Sequence, residues 1–162
     1  MAITWYLRTF EELSTIELYN ILQLRQDVFV VEQNCPYLDC DNKDQTSHHL
    51  MGWFTTHSTT ELVAYLRILI PQDQSGCPHI GRVVCHRKNR QKGIGMQLLQ
   101  KGIAECTALF PAAPIKISAQ QYLVTFYSYL GFRVSSDPYD EDGIPHIGMT
   151  YDRALKNSAR QL

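Results

Sequence analysis

The fold of this chain is decided by the stretch Arg90-Gln91-Lys92-Gly93-Ile94-Gly95, which stands between a predicted strand, His79–Cys85, and a predicted helix, Ile94–Leu109. A helix N-terminus carries unpaired N–H groups and a partial positive charge, and both favour an anion. Two glycines remove the Cβ atoms that would keep that anion away from the backbone. The stretch therefore predicts a cradle for a phosphate group.

Spacing excludes two other phosphate-binding motifs. The chain contains no P-loop pattern, and the third glycine of the dinucleotide fingerprint is replaced by Leu98. No acidic residue lies between Asp73 and Glu105, whereas six basic ones do: Arg82, Arg87, Lys88, Arg90, Lys92 and Lys101. This charge distribution supports an anionic ligand at the cradle.

The bulk composition is that of an ordinary globular protein, with 162 residues, 44% hydrophobic and 19% charged. We expect one domain over residues 1–162. No apolar run approaches the roughly 18–20 residues that span a bilayer, and the N-terminus does not resemble a secretory signal. The five cysteines form no C-x-x-C pair, which predicts free thiols and a cytoplasmic location without disulfides or zinc. A net charge of −1 argues against nucleic-acid binding.

Periodicity predicts the order β-α-β-β-β-α-β-α-β-β, and hence an α/β fold (an α+β mixed sheet) with helices on both faces. Ser14 and Glu17 form a capping box before a helix that is expected to bury Leu18, Ile21, Leu22 and Val28 or Phe29. Residues 33–47 are predicted to form a loop, and a short third helix is predicted at Leu123–Leu130. The other predicted strands are Ile3–Arg8, His48–Phe54, Glu61–Ile70, Ile115–Ala119, Gly131–Val134 and Ile144–Tyr151.

Two segments resemble a known family. Arg82–Leu99 resembles the acetyl-coenzyme A motif of the GNAT superfamily of N-acyltransferases, with Arg87 where proline is usual. Gln120–Phe132 resembles the closing pattern of that family, in which an Asn is followed seven residues later by Tyr and then by Gly-Phe. Gln120 replaces the Asn, whereas Tyr127 and Gly131-Phe132 fit.

The resemblance extends to the ElaA family within GNAT and covers nearly the whole chain. It implies a GNAT-like acyl-CoA N-acyltransferase fold and transfer of an acetyl group from acetyl-CoA, as co-substrate, to a primary amine of a small molecule or a protein. It implies no metal, and a monomer or homodimer. The matching segments are Leu24-Arg25, Val28–Tyr37, Ala64–Leu69, Ile80–Val84 and Tyr139–Met149.

The resemblance also implies the roles of individual residues. The amine attacks the thioester directly, and Tyr127 acts as the acid that protonates the leaving thiolate. Backbone groups of residues 83–85 bind the pantetheine arm, those of residues 90–96 bind the pyrophosphate, and Gln120 makes one pantetheine hydrogen bond. The implied coenzyme A-binding residues are Val83, Val84, Cys85, Arg90, Gln91, Lys92, Gly93, Ile94, Gly95, Met96, Gln120 and Tyr127.

The general base is assigned first to Glu32, in an acidic loop after the first helix, and second to His146 in the last strand. Cys85 and His86 are not expected to form a nucleophilic pair, because neighbours on a strand point to opposite faces. Acids at Asp39–Asp44 and Asp140–Asp142 are interpreted either as binding a cationic amine or as solvated charges. Three arginines are expected to pair with acids or with a substrate carboxylate: Arg25, Arg67 and Arg82.

Two alternative functions remain at this point. An acyl-homoserine-lactone synthase shares an early Arg-x-x-x-Phe followed by Glu and Asp residues, as in Arg25–Phe29, Glu32, Asp39, Asp41 and Asp44. A coenzyme A-binding regulator without turnover would retain the cradle, although the presence of Tyr127 favours an enzyme.

Overall fold

The computed structural model describes residues 2–71 and 76–152, and its elements follow the predicted order. The second helix has the predicted bounds. The elements are β1 Ile3–Thr9, α1 Thr15–Arg25, β2 Ser47–Thr55, β3 Thr60–Leu69, β4 His79–Cys85, α2 Ile94–Leu109, β5 Ile115–Gln120, α3 Val124–Tyr129, β6 Arg133–Glu141 and β7 Ile144–Tyr151.

One mixed sheet of seven strands has the order β1-β2-β3-β4-β5-β7-β6. All neighbours pair antiparallel except β4 and β5, which are parallel and are joined by the crossover helix α2. The prediction of an α/β fold with a mixed sheet is therefore confirmed.

Helices cover the two faces of the sheet because consecutive strand residues point to opposite sides. Leu50 and Leu66 join the core formed with α2 and α3, whereas Met51 and Tyr65 join the core formed with α1. We call these sides the α2 face and the α1 face. The predicted apolar side of α2 is buried as expected.

The first helix begins at the predicted capping box, and Ile21 and Val28 are buried as expected. Glu17 N donates to Ser14 Oγ over 3.2 Å, and Ser14 N donates to Glu17 Oε2 over 2.8 Å. Leu24 and Arg25 are buried, while the expected Leu18 and Leu22 are half-buried. The chain continues without a break into a π-helical segment, Gln26–Glu32, whose widened turn changes which residues face the core. Glu32 therefore ends this helix and does not lie in a loop, which corrects the sequence-based placement.

The predicted strand from Gly131 begins two residues later, at Arg133. Gly131 has φ +103° and follows the C-terminal end of α3, where a left-handed residue ends a helix. All five cysteines lie in the described part of the chain and are free thiols. Over residues 2–71 and 76–152, no helix combines the length and hydropathy that a bilayer crossing requires. In the same ranges, no cluster of three His, Cys, Asp or Glu side chains could hold a metal ion.

Candidate active site

Strands β4 and β5 diverge almost as soon as they meet. Their ladder consists of the single pair His79 and Lys116, and Lys116 N also donates to Pro78 O over 3.0 Å. Beyond this point, the β4 edge facing β5 has no strand partner in the described residues. The backbone groups along this edge are therefore open to a ligand that pairs as a strand does.

A bulge in β4 lies beside the gap. The pairing with β3 shifts by one residue between Tyr65–Val84 and Arg67–Gly81, so the extra residue lies at Arg82 or Val83. Arg82 has φ +50°, in the left-handed region. A bulge bends the strand that contains it and increases the local twist, which helps to turn β4 away from β5.

The N-terminus of α2 follows β4 and is left without a side-chain cap. Its N-cap residue is Gly93, with φ +74°, and the first turn contains no acid. A Cβ placed on Gly93 would meet no atom within 4 Å, so the space above it is open. The N–H groups that Ser14 partly satisfies in α1 have no side-chain counterpart here, which leaves them available to an anion.

Arg90 ties this loop to two other segments. Its Nε donates to Cys85 O over 3.0 Å, and its two terminal nitrogens donate to the Glu32 carboxylate over 2.5 and 2.9 Å. Hydrogen bonding from Arg90 lowers the pKa of Glu32. One guanidinium thus joins the end of β4, the loop before α2 and the end of the π-helical segment.

Tyr127 is buried in α3 at the same end of the sheet. It is 6% exposed and packs edge-on against Phe126 and Phe132, with ring centroids 5.5 and 5.9 Å away. Burial raises the pKa of Tyr127 above its usual value, so its hydroxyl stays protonated at neutral pH. A Cβ on Gly95 would lie 3.8 Å from Cys85 Sγ and 3.9 Å from Phe126, which shows that α2, β4 and α3 meet here.

Comparison with known proteins identifies this arrangement. The sequence of residues 41–153 matches the family model of the acetyltransferase (GNAT) domain. The chain belongs to the GNAT family. The ElaA protein of Escherichia coli strain K12 is 45% identical over 149 residues, which cover 91% of this chain and 95% of that protein. A Synechocystis protein of strain PCC 6803 is 38% identical over 151 residues, or 93% of this chain and 96% of the relative.

Solved GNAT structures agree with the described fold. The crystal structure of E. coli ElaA matches with a TM-score of 0.87 at 43% identity, over 93% of this chain and all of that one. An acyl-CoA N-acyltransferase from Pseudomonas aeruginosa matches with a TM-score of 0.86 at 40% identity over the same shares. This GNAT chain is therefore a member of the ElaA family. The acyl-homoserine lactone synthase BjaI matches at 15% identity with a TM-score of 0.73, covering 97% of this chain and 87% of that one, and shares the fold alone.

The structure brings most of the predicted coenzyme A-binding residues of this GNAT chain to one place. Residues 83–85 form the end of β4, residues 90–96 form the loop and first turn of α2, and Tyr127 lies beside them. Gln120 ends β5 on the other side of the gap, and its Nε2 donates to Gln33 Oε1 over 3.5 Å. Their roles toward coenzyme A stay predictions.

The two predicted bases occupy different positions. His146 in β7 pairs with Gln120, and its Nδ1 bonds the Ile144 carbonyl over 2.8 Å. Because a carbonyl only accepts, Nδ1 carries the proton and Nε2 of the neutral ring keeps its lone pair. Glu32 is ion-paired with Arg90, and the hydrogen bonds from Arg90 lower the pKa of its carboxyl group.

Cys85 and His86 face opposite sides, as the strand geometry predicts. Cys85 packs on the α2 face, whereas His86 lines a small cavity on the α1 side with Glu32 and Arg87. Burial raises the pKa of the Cys85 thiol to about 11, so this thiol is not an activated nucleophile.

Arginines and aspartates form a buried cluster on the α1 face. Arg25 donates to Asp39 over 2.7 Å and to Asp44 over 2.8 Å. Arg67 donates to both oxygens of Asp41 over 2.7 Å and to Asp44 over 2.8 Å. Arg25 and Arg67 are 0% and 2% exposed, so their charges are neutralised inside the protein.

Arg82 completes the cluster, and its Nε donates to Asp39 over 2.8 Å. The three arginines therefore pair with acids, which decides between the two roles expected for them. The acids at Asp39, Asp41 and Asp44 already bind these three cations. The interpretation that they receive a cationic amine, or stand as solvated charges, is wrong.

Three polar residues lie near His146: Ser118 on β5, and Tyr139 and Glu141 on β6. The sequence analysis missed Ser118 and Tyr139, whereas Glu141 belongs to the acids at Asp140–Asp142 that were interpreted as binding a cationic amine or as solvated charges. Ser118 Oγ lies 2.5 Å from the Tyr139 hydroxyl and donates to Glu141 Oε2 over 2.8 Å. The only sequence signal was the strand alternation that places Ser118 on the same side of β5 as Gln120. Contacts between residues more than 20 positions apart have no local pattern.

Proposed function

We propose that this chain is an N-acetyltransferase that transfers the acetyl group of acetyl-CoA to a primary amine. One observation carries the proposal: the gap between β4 and β5 opens beside an uncapped helix N-terminus and a buried, protonated Tyr127. Membership of the GNAT family supports the same chemistry, as does the similarity to the acyl-CoA N-acyltransferase from Pseudomonas aeruginosa.

The described residues fit coenzyme A. The open space above Gly93 and the free N–H groups of the first α2 turn suit a pyrophosphate. The unpaired edge of β4 at residues 83–85 suits the amides of a pantetheine arm, which pair as a strand would. Gln120 would bond this arm from β5. When bound, acetyl-CoA supplies an activated thioester carbonyl.

Side chains of this protein then assist direct transfer of the acetyl group to the amine. The neutral amine nitrogen forms the new bond to the acetyl carbon, and the bond from that carbon to sulfur breaks. Tyr127 donates its hydroxyl hydrogen to the sulfur as negative charge develops there. His146 accepts the proton that the amine loses, through the lone pair on Nε2. The hydrogen bonds from Arg90 to both carboxylate oxygens of Glu32 make Glu32 a poor proton acceptor, which supports His146 for this step.

An assay of thiol release tests the proposal. The protein is incubated with acetyl-CoA and a panel of amines that includes polyamines, amino acids, aminoglycosides and lysine peptides, and products are identified by mass spectrometry. We expect thiol release matched by an N-acetylated amine, and we expect the Tyr127→Phe variant to form this product at a rate lower by about 100-fold or more. Stabilisation by coenzyme A without release from any amine would point to a binding regulator.

The lactone synthase alternative is tested in the same assay by adding S-adenosylmethionine. The structure gives it no support beyond the fold, because the acids that suggested it are already paired with arginines: Asp39, Asp41 and Asp44 inside the protein, and Glu32 near the surface. We expect no lactone product.

A further inference from the structure

We propose that Ser118, Tyr139 and Glu141 form a subsite for a second positive charge on the acceptor, so that the preferred acceptor is a short diamine or a similar dication. We call these three residues the Glu141 subsite. The inference rests on the proposed function, because it takes the reacting amine to lie at the gap between β4 and β5.

The subsite lies on an open part of the sheet next to the gap. The core on the α1 face contains side chains of β2, β3 and β4, such as Met51, Tyr65 and Val84. In the described residues no side chain of β5, β7 or β6 belongs to it. The α1 face of these three strands is therefore not covered by the apolar core of the described residues, although Gln33 and Cys35 contact its edges at Gln120 and at the carbonyl of Asp142. Ser118, Tyr139 and Glu141 are exposed. Gln120, His146 and Tyr139 are paired in one row across this face.

Hydrogen bonds hold the Glu141 carboxylate in place before any ligand arrives. Ser118 gives its hydroxyl hydrogen to Glu141 Oε2, so the short bond between Ser118 and Tyr139 must be donated by the tyrosine. Tyr139 also stacks on His146, with centroids 6.3 Å apart. The bond to Ser118 draws the carboxylate of Glu141 from the outermost strand towards β5. A group fixed in this way loses less entropy on binding.

Among the described residues, no neighbouring cation neutralises the charge of Glu141. Within residues 2–71 and 76–152 no Lys or Arg side chain forms an ion pair with it, whereas Glu32 and the aspartates of the buried cluster all have arginine partners. Oε1 of Glu141 accepts no hydrogen bond from those residues. An ammonium group would donate a hydrogen bond to Oε1 of Glu141, and the face of the adjacent Tyr139 ring would attract the same cation.

The distances favour a short acceptor. Two strand spacings, from β5 across β7 to β6, amount to about 10 Å. Because Glu141 is drawn back towards Ser118, the separation between the gap and the carboxylate is smaller than this. An aliphatic diamine such as putrescine has a suitable length, and n-butylamine is its counterpart without the second charge.

Calorimetric titration of both amines into the protein saturated with coenzyme A tests the subsite without turnover. We expect the wild type to bind putrescine about 10-fold more tightly than n-butylamine, the effect of one charge-assisted hydrogen bond. Glu141→Gln should remove this preference, and Ser118→Ala should weaken it. Asp140→Asn is the matched control, because it removes the same charge from the neighbouring position, which points to the other side of β6, and it should keep the preference.

Equal binding of the two amines by the wild type, or a preference that survives Glu141→Gln, would overturn the subsite. The subsite would also be overturned if Glu141→Gln lost turnover equally with both amines and bound them as the wild type does, since Glu141 would then act as a base. The proposed function fails separately: a putrescine preference that depends on Glu141, without thiol release, keeps the subsite and rejects the acetyltransferase. If coenzyme A does not bind, the same titration on the free protein decides the subsite.

Discussion

Arg90 and Glu32, 58 residues apart in the sequence, form a two-pronged ion pair between the loop before α2 and the end of the first helix. Arg90 also bonds the carbonyl of Cys85, the last residue of β4. The same side chain thus sets the position of the proposed phosphate cradle relative to the side of the sheet where the acceptor is proposed to bind.

Glu32→Gln should weaken coenzyme A binding although Glu32 does not touch the proposed phosphate position. Loss of the pair lets the loop move, and we expect the Kd to rise by about 3- to 10-fold, as for one charged hydrogen bond. The free energy of unfolding should change by less than about 1 kcal/mol, because the side chains of Arg90 and Glu32 are 40% and 33% exposed. Calorimetric titration with coenzyme A measures the Kd, and urea unfolding measures the free energy of unfolding.

A double-mutant cycle separates positioning from simple loss of charge. Arg90→Gln and the double variant should bind coenzyme A about equally, because the pair acts as one unit. Lys101→Gln, at an exposed position on α2, is the control for charge. Additive effects of the two substitutions would show that the pair does not position the loop.

Tyr127→Phe should lower kcat by about 100-fold or more, which is the usual contribution of a positioned acid. The ring still packs between Phe126 and Phe132, so coenzyme A affinity and melting temperature should change little. Tyr129→Phe removes a hydroxyl from the same helix at a residue that is 81% exposed, and it should be silent. Turnover of Tyr127→Phe within a few-fold of wild type would remove Tyr127 from the mechanism.

Gly93→Ala should reduce coenzyme A affinity by about 10-fold or more, since a left-handed alanine costs about 1–2 kcal/mol and its Cβ enters the space proposed for the pyrophosphate. Gly81→Ala is the matched control. Its Cβ also meets no atom within 4 Å, but the backbone there has no left-handed φ. Equal affinity of both variants for coenzyme A, measured by calorimetry, would place the pyrophosphate elsewhere.

Local patterns predicted much of this structure. Helix α2 was predicted to the residue because its apolar residues recur at helical spacing and Gly93 marks its start. The capping box of Ser14 and Glu17 fixed the beginning of α1 for the same reason. In both cases the residues that determine where the helix begins lie within a few positions of its first turn.

Contacts between distant segments could not be predicted in this way. The pairing of Arg82 with Asp39 and the approach of Ser118 to Glu141 depend on which strands become neighbours. The extra residue in β4 and the π-helical turn before Glu32 have no distinct sequence signal, yet they decide where these side chains point.

Arg67→Met should destabilise the protein by about 3–5 kcal/mol, the cost of leaving buried carboxylates without their partner. Arg67 is 2% exposed and bonds Asp41 and Asp44. Arg133→Met, at an exposed position in β6, should change the free energy of unfolding by less than about 0.5 kcal/mol. Equal urea midpoints for the two variants would show that the cluster contributes nothing to stability.

Stability should fall in two stages as the pH is lowered. Burial lowers the pKa values of His49 and His79 below the usual 6.5, so the unfolded chain takes up these protons first and stability declines below about pH 6.5. Although burial opposes their charge, bonds from the arginines hold the pKa values of Asp41 and Asp44 below 3.8. Their stabilisation is complete above that pH and is lost below it. Urea midpoints measured between pH 8 and pH 3 show both stages, and His49→Asn should reduce the decline of the first stage. A wild-type midpoint that stays constant down to pH 5 would contradict the assignment.

A crystal structure of the protein with coenzyme A tests the central claim most directly. We predict that the pyrophosphate lies on the N–H groups at the start of α2, that the pantetheine arm lies between β4 and β5 along residues 83–85, and that the sulfur lies within hydrogen-bonding reach of the Tyr127 hydroxyl. Coenzyme A bound away from the β4–β5 gap, or with its sulfur far from Tyr127, would contradict it.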